Sequence, residues 1–176
     1  EEEGGAEEEG MLEIVDQRTI AAVEASVYAA GLPTDVGAVL IVEIDGPSVA
    51  LPAQVARIRE LAAREGGRVE VARDDEERQR FWRARKGAFG AMGRLAPDLY
   101  VHDAVVPRTA LPRVIAGVCA IGDRYGLELS NVFHAGDGNL HPNISFDRRD
   151  PDEMRRVVEA GAEILALCVA EGGVIT

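Results

Sequence analysis

Two of the three histidines fall in one short run, His134-Ala135-Gly136-Asp137-Gly138-Asn139-Leu140-His141. Glycine, aspartate and asparagine tolerate the positive φ angles that a tight reversal needs. A reversal centred on Asp137-Gly138 pairs 136 with 139, 135 with 140 and His134 with His141. The two histidines then face each other across a hairpin, with Cβ atoms roughly 4.5–5.5 Å apart. Imidazoles at that separation can converge on one divalent ion, whose metal–nitrogen bonds are about 2.0–2.1 Å. Residues i and i+2 of a strand share a face, so Asn143 is expected beside His141. Asp137 has two readings, a turn residue or an acceptor for an imidazole N–H. Pro142 cannot donate to a ladder and is expected to end regular pairing just after His141. Two imidazoles are an incomplete metal site, and a further ligand must come from elsewhere in the fold.

Arg85 is the second residue of interest. On a predicted helix it falls by i, i+4 spacing within an apolar stripe of Phe81, Phe89 and Met92. Such an arginine either lays its stem on the core with the head in water, or holds its guanidinium at a pocket rim. In the second case the planar fork suits a carboxylate. Arg83 and Lys86 point elsewhere and are expected in solvent. Asp103, next to His102, is anomalous in a strand that also holds Val105 and Val106. It is expected either to pair with Arg85 or a histidine, or to face solvent at an edge. Trp82 and Tyr100 read as packing residues.

These side chains need a scaffold. Apolar periodicity predicts a helix over 11–29, a strand over 39–44 and a helix over about 50–65. A short strand over about 68–72 follows. Asp74 and Glu77 form a capping-box pattern that opens a helix running to Met92. A strand over 99–106 precedes a helix capped by Thr109 and ended by Gly126. Strands over 127–134 and 139–146 flank the histidine turn, and Asp150, Pro151 and Glu153 start the last helix. The expectation is an α+β fold of ferredoxin-like type, with a mixed or antiparallel sheet and helices packed mainly on one face. No G-x-G-x-x-G or G-x-x-x-x-G-K motif follows a predicted strand, so the chain shows no dinucleotide-binding loop of its own.

Composition narrows the classes further. Of 176 residues, 47% are hydrophobic and 28% charged, as in an ordinary globular protein. The net charge is -12, and the first ten residues, with six glutamates, carry half of it. That acidic start, residues 1–10, is expected to be a disordered tail preceding a domain over 11–176. An acidic body disfavours nucleic-acid binding, which needs clustered Lys and Arg. Cys119 and Cys168 are expected to be buried free thiols. No apolar run reaches the roughly 18–20 residues that span a bilayer. The cytoplasm is the default location, with attachment at the inner membrane through partner subunits left open.

Several of these stretches together resemble a known family. His134 to Pro142, preceded by Asn131-Val132-Phe133, is similar to the signature of the FAD-linked oxidase C-terminal domain. That domain is the cap, or substrate, domain of the glycolate oxidase flavin subunit and of D-lactate and D-2-hydroxyglutarate dehydrogenases. The stretches Gly37–Gly46, Phe81–Lys86, Asp103–Pro107 and Gly172–Thr176 resemble further motifs of the family in order. The resemblance implies an FAD-dependent oxidation of an (R)-2-hydroxy acid, such as glycolate or D-lactate. It implies that His134 and His141 ligate a divalent metal such as zinc or manganese, that Arg85 holds the substrate carboxylate, and that Asn143 lines the same pocket. It places the FAD-binding domain, a glutamate ligand and a histidine base outside these 176 residues, the last two in a Gly-Glu-His-Gly motif just beyond Thr176. The fragment alone is therefore expected to be inactive. Implied partners are the FAD-binding domain and an iron–sulfur or other electron-transfer subunit. A competing class is a non-catalytic α+β module that senses a small ligand or metal, because fold alone does not fix function.

Overall fold

A computed structural model describes residues 11–175. The acidic tail expected over residues 1–10 lies outside the described residues. Thirteen elements follow in order: β1 (Leu12–Asp16), α1 (Gln17–Glu24), β2 (Ala38–Val42), α2 (Leu51–Arg64), α3 (Asp75–Met92), β3 (Asp98–Val101), β4 (Ala104–Val105), a 3-10 turn (Arg108–Ala110), α4 (Leu111–Tyr125), β5 (Glu128–His134), β6 (Asn139–Phe146), α5 (Pro151–Ala170) and β7 (Val174–Ile175).

The strands form one sheet in the order β2-β1-β5-β6-β4-β7, and β3 also pairs with β6. Every pairing is antiparallel. The expected α+β class with an antiparallel sheet is what forms. The helices, however, cover both faces rather than mainly one. Alternate residues of a strand point to opposite faces. On one face Phe133, Leu140 and Ile144 pack with Val114, Val118 and Ile121 of α4 and Val157, Ala160 and Ile164 of α5. On the other, Val15 and Val132 pack with Ile20 and Val23 of α1 and Ala84, Ala88 and Met92 of α3. α3 lies chiefly against α1, and its Ala84, Ala88 and Met92 enter the shared core, from which Arg85 reaches Glu13 on β1.

The predicted helix over 11–29 is corrected to a strand followed by a short helix. Leu12–Asp16 show alternating burial and pair with β2, and Glu13–Val15 pair with β5 on the other side. Asp16 ends the strand and caps α1, its side chain accepting from the Thr19 backbone N–H at 2.9 Å. Here ladder pairing overrides the helical spacing of Leu12, Val15 and Ile20. Residues 68–72, predicted as a strand, form no ladder. The predicted strand over 99–106 is two, β3 and β4, broken at His102 and Asp103.

Helix ends follow the sequence more closely. Asp74 accepts from the Glu77 N–H at 2.9 Å, and Glu77 in turn accepts from the Arg73 N–H at 2.8 Å. Arg73 holds the Glu77 carboxyl down at about 2. Asp150 caps α5 and Gly126, at φ 62°, ends α4. Thr109 does not cap α4; it lies in the 3-10 turn, and Ala110 stands at the cap position without a side-chain bond. Cys168 is buried and Cys119 is exposed, a correction to its expected burial; both thiols are free. None of the described helices is long and apolar enough to cross a membrane.

Candidate active site

The hairpin of β5 and β6 turns through residues 135–138, and its register differs from the expected one. His134 pairs with Asn139, and His141 pairs with Val132. The histidines are therefore not direct partners but diagonal ones, because the reversal is centred on Gly136-Asp137, one residue earlier than Asp137-Gly138. They still share a face, and diagonal side chains are within reach of aromatic rings. Their ring centroids are 5.4 Å apart with the planes nearly perpendicular, at 88°. Gly138 makes the loop possible. It sits at φ 75°, its carbonyl accepts from Val106 N–H at 2.9 Å, and a Cβ there would stand 2.1 Å from the Val106 oxygen.

Pro142 does not end the pairing as expected; β6 runs on through it to Phe146. The Pro142 carbonyl accepts from His102 N–H at 3.0 Å, on the side where β3 and β4 are interrupted. The missing proline N–H therefore falls at a break in the neighbouring strand, where the ladder asks for no donor.

The direct partner of His134 lies on β1, on the other side of β5, and it is Glu13. This residue was not singled out in the sequence, because the helix predicted over 11–29 hid its place in a strand. Glu13 is 5% exposed, and its carboxylate has two different neighbours. Glu13 Oε1 lies 2.6 Å from His134 Nδ1, and Oε2 accepts from Arg85 Nε at 2.9 Å. Arg85 Nη2 lies 2.8 Å from the same Oε2, in ion-pair range but without hydrogen-bond geometry, and is buried with no hydrogen-bond partner. Arg85 is thus neither spread on the core with its head in water nor, among the described residues, paired to Asp103. Arg83 and Lys86 are exposed, as expected.

Asp137 is exposed at the loop tip, so the imidazole-acceptor role weighed for it belongs to Glu13. His141 is more enclosed than His134. Phe89 stands edge-on to its ring, centroids 6.2 Å apart, and Asp103 Oδ1 is 3.9 Å from Nδ1, beyond hydrogen-bond length. Burial lowers the His141 pKa below its usual 6.5, against the opposing pull of Asp103. His102 is buried too, its Nδ1 lying 3.1 Å from the Pro142 carbonyl oxygen, and burial lowers its pKa.

Asn143 shares the face of His141, as expected. It is fully buried behind that residue, its Nδ2 donating to the His141 carbonyl at 2.6 Å, while Oδ1 has no partner. Trp82 Nε1 donates to Glu43, which also pairs with Arg78, so Trp82 anchors α3 rather than joining the histidines. Among the described residues no group of three His, Cys, Asp or Glu is placed to hold a metal ion. The two imidazoles have the right chemistry for a borderline cation and are short in number.

One sheet face and one helix therefore define an α+β domain with a carboxylate–arginine–histidine cluster beside a second, neutral-leaning imidazole. The chain belongs to the family described as FAD linked oxidases, C-terminal domain, whose model matches residues 8–176. It is 44% identical to the glycolate oxidase subunit GlcD of Escherichia coli (strain K12) over 168 residues, 95% of this chain and 34% of that protein. It is 37% identical to the glycolate oxidase subunit GlcD of Bacillus subtilis (strain 168) over 167 residues, 94% of this chain and 35% of that protein. The fold matches that of p-cresol methylhydroxylase with substrate bound, at a TM-score of 0.68 and 16% identity, over 94% of this chain and 38% of that one. The chain thus spans about a third of the length of these proteins.

Proposed function

We propose that this chain is the substrate-side domain of an FAD-dependent oxidoreductase that converts an (R)-2-hydroxy acid, such as glycolate or D-lactate, to the 2-oxo acid. The observation that carries this reading is the meeting of Arg85, His134 and His141 on one face of the sheet, in a family whose similar members are glycolate oxidase subunits.

Arg85 would bind the substrate carboxylate through its Nη edge, since Nε is already given to Glu13. A guanidinium held by a buried partner loses little freedom on binding, which favours a planar anion in one orientation. His134 and His141 would hold a divalent cation such as zinc or manganese, completed by ligands outside the described residues. Burial disfavours the protonated form of His141, and the neutral form is the one in which an imidazole can ligate. A cation so held would supply Lewis acidity toward the substrate hydroxyl, lowering its pKa as zinc lowers that of bound water. The flavin, when bound, supplies the two-electron acceptor for the hydride leaving C2. The hydroxyl proton would go to a base outside the described residues. Asn143, holding the His141 backbone, would keep that ring aimed at the ligand.

The FAD-binding domain of the same protein is the expected partner, and an iron–sulfur or other electron-transfer subunit is a further one. Residence in the cytoplasm, or at the inner membrane through such a subunit, belongs to the same reading. Steady-state kinetics of the complete gene product across a panel of 2-hydroxy acids tests the reading. Arg85→Ala should raise KM steeply, and His134→Ala should lower kcat. Normal kinetics in both variants would refute the site.

A further inference from the structure

We infer that Glu13 is the positioning residue of this site, and that it sets which nitrogen of His134 carries the proton. For the identity of the ligands this rests on the function proposed above; for the proton it rests on geometry alone. Glu13 and His134 are facing partners on β1 and β5, and the Oε1···Nδ1 distance of 2.6 Å is that of a charge-assisted hydrogen bond. An ionised carboxylate only accepts, so the shared proton belongs on Nδ1. Nε2 of the neutral ring is then the lone-pair nitrogen, on a side chain 41% exposed and therefore open to a ligand. The other carboxylate oxygen takes Arg85 Nε at 2.9 Å and stands 2.8 Å from Nη2, which fixes that edge of the guanidinium against Glu13 and leaves the Nη1 side of the fork for an anion. One side chain thus prepares a cation-binding nitrogen and an anion-binding edge together.

Glu13→Gln gives an outcome that a merely structural role does not. The amide matches the carboxylate in shape but has one acceptor and one donor. Arg85 Nε–H needs an acceptor, so the amide oxygen turns to Arg85 and the NH₂ faces His134. A donor opposite Nδ1 drives the ring proton to Nε2, the nitrogen a cation needs. The isosteric variant is therefore worse than truncation: zinc affinity falls in the order wild type, Glu13→Ala, Glu13→Gln. The loss for Glu13→Gln is about 10–100-fold, as for other carboxylates that orient a ligating histidine.

The test uses the complete gene product with ¹⁵N-labelled histidine, and the ¹⁵N shifts of the two ring nitrogens report the tautomer. The His134 signals are assigned by their loss in His134→Asn, and zinc affinity is read by competition with a chelator. The expected result is an Nδ1–H tautomer in the wild type and an Nε2–H tautomer in Glu13→Gln. A wild-type Nε2–H tautomer, or a Glu13→Gln protein with unchanged tautomer, overturns the inference. Should Glu13→Ala fail to fold, the tautomer of Glu13→Gln decides. A wild type that takes up no zinc removes the cation from the proposed function, and the tautomer still decides for or against Glu13.

Discussion

Glu13 and Arg85 stand 72 residues apart in the chain and meet at 2.9 Å in the interior, one from the first strand and one from the helix laid across it. Neither side chain is more than a tenth exposed. Removing one member of such a pair leaves a buried charge without a partner, at a cost of about 3–5 kcal/mol. Replacing both with apolar or neutral residues of similar size costs far less. Arg85→Met and Glu13→Gln should each lower stability strongly in urea denaturation. The double variant should recover part of the loss, with a coupling of about 0.5–3 kcal/mol. Additive losses would show that the two residues do not depend on each other.

The four-residue loop before Asn139 sets the diagonal placement of the histidines, and Gly138 is its critical position. Alanine there must adopt a positive φ, at about 1–3 kcal/mol, and its Cβ would run into the Val106 carbonyl. Gly138→Ala should therefore be clearly destabilising in chemical denaturation. Gly136→Ala is the control: its φ is not positive, and its Cβ would meet Leu12 at an ordinary 3.5 Å. Similar effects at both glycines would contradict the loop geometry.

The hairpin and the helices α2 to α5 were legible because their signals are local. Gly-Asp-Gly-Asn marks the reversal, and Asp74, Asp150 and Gly126 mark helix ends. The register was not legible. A one-residue shift in the centre of the reversal, with Ala135 and Gly136 both taken into the loop, turns direct partners into diagonal ones, and that centre depends on how Gly138 docks against Val106. Glu13 was hidden for a different reason. Leu12, Val15 and Ile20 fit a helix as well as a strand, and only pairing with β2 and β5, far along the chain, decides for the strand. Arg85 stood out as a charge in an apolar stripe, but its partner cannot be named until β1 is placed.

Acid should weaken the fold before the carboxylates titrate. His102 and His141 both have pKa values pushed below 6.5 by burial, so the unfolded chain binds protons that the folded one resists. Stability then rises with pH through and just below that value, and levels off above about pH 7. Denaturation midpoints at several pH values between about 5 and 7 will show this slope, and His102→Gln should reduce it. A stability that is flat over this range, or that falls as pH rises through it, would contradict the burial of these rings.

The most direct measurement is anaerobic mixing of the flavin-loaded, complete gene product with D-lactate, L-lactate and glycolate, followed by flavin absorbance. Bleaching by glycolate or D-lactate but not by L-lactate is predicted. Arg85→Ala should require about 100-fold more substrate for the same bleaching, the scale expected when a buried charged contact is truncated. A flavin that dithionite reduces but that no 2-hydroxy acid reduces would contradict the proposed function.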